Sequence, residues 1–391
     1  MSPRRFALVA GGGTGGHIVP AVTVAQALAR ARGGSAVEVV GSRRGLEGDL
    51  LAGTGLPVSR LPGRGFARTL GAAAIRANLA AAGALAWAFV LSLALVARRR
   101  PAVVVALGGY GCVPVSLAAL LLGVPVVLVN LDAVPGAASR LVARFARFNA
   151  VAFPGTVLPR AVVTGAPVRP EIVGVARPDP AARAAARRLL GLPTDRFVVG
   201  VVGGSLGAAT VNRATLALAG LWEGRGDVAL YHVVGRRDAA WAERAAPPPA
   251  AGGLLYRAVP YEDRMALFYQ AADVIVSRAG ASTVAELTVV GTPGVLVPLP
   301  GAPGDHQTAN AAVLARAGAA VIVPDPQCTG ERLAEEIDAL RQAPARLARM
   351  REAAAGLGRA DATAAVVAMA ESCARSVAGT DPPATPGRGI S

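Results

Sequence analysis

The chain contains two glycine-rich turns about 190 residues apart, and each follows a short apolar run and precedes a helix-like stretch. The turns occupy residues 11–17 (GGGTGGH) and 203–208 (GGSLGA). Glycine lets backbone N–H groups approach a phosphate closely, and the positive end of the following helix favours the anion. The chain therefore repeats a nucleotide-binding unit, and we expect a phosphorylated ligand.

Short Val-rich runs alternate with helical stretches in both halves of the chain. The predicted strands are 6–10, 37–40, 103–107 and 124–129 in the first half, and 197–202, 228–233, 254–259, 274–276 and 294–297 in the second. Helices are predicted at 18–32, 178–190 and 330–342, followed by an Arg/Ala-rich helix that runs to about 377. This alternation predicts the α/β class, with a parallel, doubly wound sheet in each half.

The pattern breaks near residues 166–170, which we interpret as a hinge between domains. We expect an N-terminal Rossmann-like domain at 1–168 and a C-terminal one at 169–350. A C-terminal helix at 351–377 is expected to pack back toward the N-terminal domain. The Pro- and Gly-containing tail at 378–391 is predicted to be disordered.

The net charge of +15 comes with 40 basic residues, all of them arginine, while only 4% of residues are aromatic. So few aromatic residues leave little for base stacking, and no nucleic-acid-binding motif is present, so nucleic acid is not an expected partner. An anionic membrane surface and phosphate ligands explain the charge better. Three cysteines without CxxC spacing indicate neither a disulfide framework nor a zinc site.

A stretch of 21 uncharged residues, 77–97, ends at Arg98–Arg100. Its length suits a membrane span, but it lies between two pieces of one nucleotide fold, which a span would split. We therefore favour a buried or membrane-surface helix over a span. No N-terminal secretion signal is evident, so the chain is expected in the cytoplasm.

The first glycine turn also fits G-x-G-x-x-G, a weak dinucleotide fingerprint. After the second predicted strand, Arg43 and Arg44 replace the acidic residue that would hold a ribose, so an NADP enzyme stays open as an alternative. His17 starts the following helix, where the dipole favours a neutral imidazole that can act as a base. The alternative for His17 is a hydrogen bond to nearby backbone.

The most specific block is residues 277–286 (SRAGASTVAE), which follows a predicted strand. Residues 280–283 would open a helix and offer N–H groups and a hydroxyl to a phosphate. Glu286, about one turn further, is placed to accept both hydroxyls of a ribose, or else only favours the helix dipole. Residues 304–311 (GDHQTANA) gather polar side chains that could bind sugar hydroxyls, with helix capping by Asp305 as the alternative.

Nine sequence blocks, in order, resemble the MurG family, the membrane-associated N-acetylglucosaminyltransferases of peptidoglycan synthesis. The blocks are GGGTGGHIVPA, GGYGCVP, FPG, GAPVR, GGSLGA, PYEDRM, SRAGASTVAEL, DHQTANA and AGAA, within about residues 6–360. The resemblance implies a GT-B glycosyltransferase fold, two Rossmann-like domains facing a cleft. It implies UDP-GlcNAc and a lipid-linked MurNAc-pentapeptide as ligands, and a peripheral position on the cytoplasmic face of the cell membrane. Other cell-wall synthesis proteins are further candidate partners.

The resemblance also implies roles for individual residues. For UDP-GlcNAc it implies Glu286 at the ribose, Ser205, Ala281, Ser282 and Thr283 at the diphosphate, Arg169, Tyr261 and Met265 near uracil, and Gln307 and Thr308 at the sugar. For the acceptor it implies Thr14, Gly15, Gly16, His17, Tyr110 and the Asn130 position. No cofactor is implied, and no DxD-like motif calls for a metal.

The chain departs from the family at residues 129–132. The family usually carries His-Glu-Gln-Asn there, whereas this sequence has Val-Asn-Leu-Asp. Asn130 stands at the usual carboxylate position and cannot act as a base, so Asp132 or His17 is expected to take the acceptor proton. Leu206 and Ala166 also replace polar residues of the family. The sequence thus favours an inverting transfer of GlcNAc to the 4-hydroxyl of undecaprenyl-diphospho-MurNAc-pentapeptide. The alternatives are a GT-B glycolipid transferase and an inactive sugar-nucleotide-binding protein.

Overall fold

The computed structural model describes residues 5–12, 15–42, 53–63, 72–204, 207–247 and 251–377. These residues form two compact units. The first unit contains the chain up to Leu131, Pro135–Pro167 and the chain from Asp361, and the second contains Asp132–Val134 and Val168–Ala360. The predictions for Thr14, Arg43, Arg44, Ser205, Leu206 and the tail 378–391 lie outside the described residues.

The described part of the first unit contains a seven-stranded parallel sheet in the order β3-β2-β1-β4-β5-β6-β7. Its strands are β1 Ala7–Ala10, β2 Val37–Ser42, β3 Val58–Leu61, β4 Val103–Ala106, β5 Val126–Asn130, β6 Phe148–Val151 and β7 Ala161–Val163, and its first helices are α1 Gly15–Arg32, α2 Ala72–Arg99, α3 Cys112–Leu121 and α4 Ala137–Ala143. The central strands β1, β4 and β5 are buried along their whole length, as expected for Val-rich strands covered on both faces.

The described residues of the second unit repeat this architecture with a six-stranded parallel sheet in the order β10-β9-β8-β11-β12-β13. Its strands are β8 Phe197–Val202, β9 Val228–Val233, β10 Leu255–Val259, β11 Val274–Ser277, β12 Gly294–Leu296 and β13 Ala320–Ile322. Its helices are α5 Pro170–Val173, α6 Pro180–Leu189, α7 Ala209–Leu221, α8 Ala239–Ala245, α9 Met265–Ala271, α10 Ala281–Val290, α11 His306–Arg316, α12 Gly330–Arg341 and α13 Pro344–Leu357.

The direction of strand order reverses at equivalent places in the two sheets, between β1 and β4 and between β8 and β11. In open parallel sheets, ligands bind outside the carboxyl ends of the strands at such a switch point. Both glycine-rich turns follow a strand at this point, because one comes after β1 and the other after β8. The topology therefore puts both turns where a nucleotide-fold ligand binds.

The end of the chain differs from the single helix predicted at 351–377. It forms two helices, α13 and then α14 Ala362–Val377. Gly358 ends the first of them in an extended conformation, and a Cβ there would lie 2.4 Å from the carbonyl oxygen of Thr288. The helix α14 belongs to the first unit, where it packs on α1, β4 and β5 and where Glu371 pairs with Arg32 at 3.0 Å.

The α/β class and the nine predicted strands are confirmed, with ends that shift by up to two residues. Four short strands, β3, β6, β7 and β13, were not predicted. All three residues of β7 are exposed, and β3 and β13 are largely half-buried, so none of these three has a continuous buried run. Such edge strands form because a neighbouring strand supplies their hydrogen-bond partners, and local sequence does not report this.

The apolar stretch 77–97 lies within the helix α2, which packs on α3. Among the described residues, Ile75–Arg99 is long and apolar enough to cross a bilayer, and 28% of its most apolar part is buried inside the fold. Ala81, Ala88, Ser92, Leu95 and Val96 are buried. One side of α2 therefore belongs to the core of the first unit.

Candidate active site

The second glycine-rich turn connects β8 to α7 and leaves no room for side chains at two of its glycines. A Cβ on Gly203 would lie 2.5 Å from the backbone nitrogen of Ala208, and Gly207 has φ 78°. A Cβ on Gly207 would also lie 2.5 Å from the carbonyl oxygen of Val234. Glycine is therefore required at both positions, and the turn brings backbone close to the N-terminus of α7.

The block 277–286 forms the equivalent junction after β11. Gly280 has an extended conformation and α10 begins at Ala281, so the predicted helix opening is confirmed. Ala281, Ser282 and Thr283 make up its first turn, and the N–H groups of a first helical turn point out along the helix axis, where they can bind an anion. Just before this turn, Ser277 Oγ and Arg278 Nε are buried, and neither has a hydrogen-bond partner within the described residues.

Glu286 lies in the second turn of α10 and is 6% exposed. The guanidinium of Arg169 donates from Nη2 to Glu286 Oε1 at 3.0 Å, and the Tyr269 hydroxyl donates to Oε2 at 2.7 Å. A role for Glu286 only at the helix dipole is not supported, because this effect falls off beyond the first turn. Each carboxylate oxygen has a second lone pair, so the pair of donors leaves acceptor capacity for ligand hydroxyls.

The contact with Glu286 affects the pKa of both of its partners. Burial alone would lower the pKa of Arg169, but the charge and hydrogen bond of Glu286 outweigh it, so the pKa is raised. Burial, and then the same carboxylate, raise the pKa of Tyr269 well above its usual range. Arg169 therefore stays charged, and Tyr269 stays a hydrogen-bond donor.

The loop before α9 contains Tyr261, and Met265 is the first residue of that helix. The Tyr261 ring is 38% exposed, and the Arg236 guanidinium lies 4.7 Å from its centroid. Glu262 beside it is buried, accepts a hydrogen bond from the Tyr231 hydroxyl, and accepts another from the Arg264 backbone at 2.8 Å. Glu262 therefore fixes the loop on which the two predicted residues lie.

The helix α11 begins with His306, followed by Gln307 and Thr308. Gln307 Oε1 accepts a hydrogen bond from the Leu299 backbone at 3.0 Å, and the Thr308 hydroxyl donates to Asp305 at 2.8 Å. Asp305 has φ 51° and its side chain accepts no backbone hydrogen bond as a cap, so the capping alternative is not supported.

Asp132 contacts the helix α11, and Asp132–Val134 belongs with it to the second unit. Its Oδ1 accepts a hydrogen bond from Asn310 Nδ2 at 2.9 Å and lies 3.3 Å from His306 Nδ1. Asn310 is fully buried and also bonds the backbone of Ala133 and Ala279. A proposed base at Asp132 therefore has its carboxylate already engaged by two side chains.

In the first unit, the turn after β1 lies against the turn after β4. The helix α1 begins at Gly15, three residues earlier than predicted, so Gly16 and His17 lie in its first turn. Gly108 and Gly109 have φ 78° and 72°. A Cβ on Gly109 would lie 2.3 Å from the Gly12 carbonyl oxygen, and one on Gly108 would lie 3.2 Å from His17 Nε2.

Two more predicted acceptor residues are Tyr110, in the turn after β4, and Asn130, at the end of the neighbouring strand β5. Tyr110 follows Gly109 directly and is half-buried, with its ring beside Gly63. Asn130 is the last residue of β5 and is 3% exposed. The structure thus brings His17 to the β1–β4 switch point and places Asn130 at the carboxyl end of the next strand.

Sequence reasoning missed Tyr269, and it gave no individual role to Glu262, His306 or Asn310. His306 and Asn310 lie in a block already singled out, but their partner Asp132 is 178 residues from Asn310. No local pattern reports such pairs. Within the described ranges, no group of three or more His, Cys, Asp or Glu residues could hold a metal ion.

Comparison with known proteins agrees with this architecture. The model of the glycosyltransferase family 28 N-terminal domain matches residues 7–151, and that of the family 28 C-terminal domain matches residues 198–366. The crystal structure of the calicheamicin glycosyltransferase CalG4 superposes with a TM-score of 0.65 at 15% identity, covering 97% of this chain and 100% of the other. The fold therefore defines a glycosyltransferase of the GT-B class, built from two parallel-sheet units.

Closer relatives narrow this class. The UDP-N-acetylglucosamine--N-acetylmuramyl-(pentapeptide) pyrophosphoryl-undecaprenol N-acetylglucosamine transferase of Desulforudis audaxviator is 38% identical over 354 residues, covering 88% of this chain and 91% of the relative. The crystal structure of Acinetobacter baumannii MurG has a TM-score of 0.72 at 30% identity and covers 94% of this chain and 99% of the other. The chain belongs to glycosyltransferase family 28 and, within it, to the MurG family.

Proposed function

We propose that this chain moves GlcNAc from UDP-GlcNAc to the 4-hydroxyl of undecaprenyl-diphospho-MurNAc-pentapeptide, with inversion at the anomeric carbon. The observation that carries the proposal is the pair of glycine turns at equivalent switch points, in a chain whose relatives carry this activity in their name. Two anion cradles suit a donor and an acceptor that each contain a diphosphate.

The second unit is proposed to bind the donor. The first turn of α10 would receive the diphosphate from one side, with Ser205 and the β8 turn on the other. Glu286 would accept the ribose hydroxyls, and its hydrogen bonds with Arg169 and Tyr269 hold its carboxylate in place. Tyr261 and Met265 would lie near uracil, and Gln307 and Thr308 near the sugar.

The first unit is proposed to bind the acceptor diphosphate at Thr14, Gly15 and Gly16, with Tyr110 and Asn130 nearby. A base removes the proton of the acceptor hydroxyl, and its oxygen forms the bond to the anomeric carbon. The bond between that carbon and the β-phosphate oxygen breaks, and UDP leaves with the electron pair. We favour His17 over Asp132 as the base, because the Asp132 carboxylate is already engaged by Asn310 and lies beside His306.

The apolar face of α2, defined by Ile75, Leu79, Trp87 and Val90, is proposed to dock on the cytoplasmic membrane surface. These side chains are between 51% and 68% exposed and lie on one stripe of the helix. Arg76 at one end and Arg98 at the other would contact anionic headgroups. This is peripheral docking, because buried residues on the other side of α2 belong to the core of the first unit.

The direct test is transfer of labelled GlcNAc from UDP-GlcNAc to the lipid-linked acceptor, with an acceptor lacking the muramoyl pentapeptide as the control. We expect turnover with the first acceptor only. Turnover with a simple glycolipid instead would favour the alternative acceptor class. UDP binding without turnover on any acceptor would favour the inactive binder that Asn130 raises.

A further inference from the structure

A buried hydrogen-bond network lies behind the second glycine-rich turn. His232 on β9 is fully buried, with Nδ1 2.9 Å from the Tyr256 hydroxyl and Nε2 3.0 Å from Asn212 Oδ1. Asn212, also fully buried, lies in the first turn of α7. The imidazole therefore joins the helix that follows the glycine turn to the strands β9 and β10.

The hydrogen bonds of Asn212 assign the histidine tautomer. Asn212 Nδ2 donates to the Val234 carbonyl oxygen and to Asp238 Oδ2, both at 2.9 Å, which uses both amide hydrogens. Its Oδ1 must then accept, so His232 carries its proton on Nε2 and accepts the Tyr256 hydroxyl at Nδ1. Burial lowers the pKa of His232 to about 3, so the ring is neutral at ordinary pH.

The glycine turn packs against the same two oxygen atoms to which the Asn212 side chain donates its hydrogen bonds. A Cβ on Gly207 would be 2.5 Å from the Val234 carbonyl oxygen, 3.4 Å from Asp238 Oδ2 and 3.5 Å from Asn212 Nδ2. Asn212 also donates its backbone N–H to the Ala208 carbonyl at 2.8 Å. A shift of the Asn212 amide would therefore move the backbone between Gly207 and α7.

We propose that His232 is a positioning residue for the diphosphate, acting through Asn212 to hold the Gly207–Ala208 backbone and the N-terminus of α7 against the ligand. The inference rests on the proposed donor site. Because backbone N–H groups stabilise a phosphate only at hydrogen-bonding distance, a small displacement of this backbone weakens diphosphate binding. Recognition of the nucleoside depends on other elements and is unaffected.

Two amide substitutions separate the two hydrogen bonds of the ring. The amide of His232→Gln can reach the position of Nε2 and keep the bond to Asn212, whereas that of His232→Asn reaches only the position of Nδ1, toward Tyr256. Thr215→Val is the matched control, because Thr215 is fully buried on the same helix and its hydroxyl bonds only the Val211 carbonyl at 2.8 Å among the contacts described for it.

The measurement is the affinity of the full chain for UDP and for uridine, by calorimetry and by ligand-observed NMR respectively. We expect His232→Asn to weaken UDP binding about tenfold, which corresponds to the loss of about one hydrogen bond. Uridine binding should weaken less than twofold. His232→Gln and Thr215→Val should keep the ratio of the two affinities within about threefold of the wild-type ratio.

Equal losses of UDP and uridine affinity in His232→Asn would overturn the positioning role, as would equal UDP affinity in the Asn and Gln variants. If His232→Asn fails to fold, Asn212→Ser removes the same link and is read in the same way. A wild-type chain that binds uridine but not UDP would overturn the proposed donor site and the positioning role together. If the affinities change as expected but the wild-type chain shows no transfer activity, the result counts against the proposed reaction alone.

Discussion

The two sheets share the order of six strands, to which the first sheet adds β7, but the residues at their switch points differ in kind. In the first unit, two glycine turns touch each other, and the half-buried His17 lies against them. In the second, the equivalent edge carries Glu286, bound by Arg169 and Tyr269, and a buried amide and imidazole lie behind the turn. Backbone alone can form an anion cradle, whereas recognising one particular nucleotide requires side chains held in place by their neighbours.

If the first unit supplies chemistry and the second supplies donor binding, His17→Ala should separate the two. We expect kcat to fall by about 10² to 10⁴, the usual loss for a general base. UDP affinity should stay within about twofold, since His17 lies on α1 of the first unit. Steady-state kinetics and UDP calorimetry measure the two effects.

Asp132→Asn is the matched comparison for this test. Its carboxylate belongs to the second unit and bonds Asn310, so we expect a smaller loss of kcat than for His17→Ala. A full loss in Asp132→Asn with an active His17→Ala would reverse the assignment of the base.

The opposite separation is expected for Glu286→Ala. Removing a charged hydrogen-bond acceptor should weaken UDP binding by about 1.5 to 3 kcal/mol, and it also removes one hydrogen-bond partner from each of Arg169 and Tyr269. Thr288→Val, on the same helix and with its buried hydroxyl bonded to Ala285, is the control. Unchanged UDP affinity in a folded Glu286→Ala variant would remove this residue from the site.

This contrast also explains what sequence could predict. Glycine turns and Val-rich strands are local patterns, so the two doubly wound sheets were predicted, whereas the strand order that creates the switch points was not. The pairing of Arg169 with Glu286 spans 117 residues, and His232 appears in sequence only as one histidine in an apolar strand. The partners of such polar groups come from tertiary packing, which local patterns do not contain.

The burial of His232 also predicts how the free energy of unfolding depends on pH. Its pKa is about 3 in the folded chain, because burial disfavours the charged ring, against an ordinary value of 6.5. Below about pH 6.5 the unfolded chain binds a proton that the folded chain does not, so the free energy of unfolding should fall as pH decreases, by up to about 1.4 kcal/mol per pH unit. Above pH 6.5 this group has no effect.

Urea unfolding between pH 5 and pH 7.5 measures this slope. The groups that face the ring, Tyr256 and Asn212, do not ionise in that range, and Asp238 contacts it only through Asn212. In His232→Gln the contribution should vanish while all carboxylates remain, so the difference between the two curves isolates it. Parallel curves would show that the ring is not held neutral.

The smallest expected effect concerns the first unit alone, at the apolar face of α2. Each arginine near an anionic surface adds about 1 kcal/mol, so Arg76→Gln with Arg98→Gln should weaken binding to phosphatidylglycerol vesicles by about 10- to 30-fold. Arg99 is unsuitable for this test, because its Nε pairs with the buried Glu38 at 2.8 Å, beside Arg5, and its loss would disturb the sheet.

Vesicle sedimentation at low and high salt is the measurement, and Trp87→Ser tests the apolar part, which salt does not screen. If the double variant binds the vesicles with wild-type affinity, and salt does not change that affinity, α2 inserts through its apolar residues alone. In that case the arginines of the first unit would add nothing to docking.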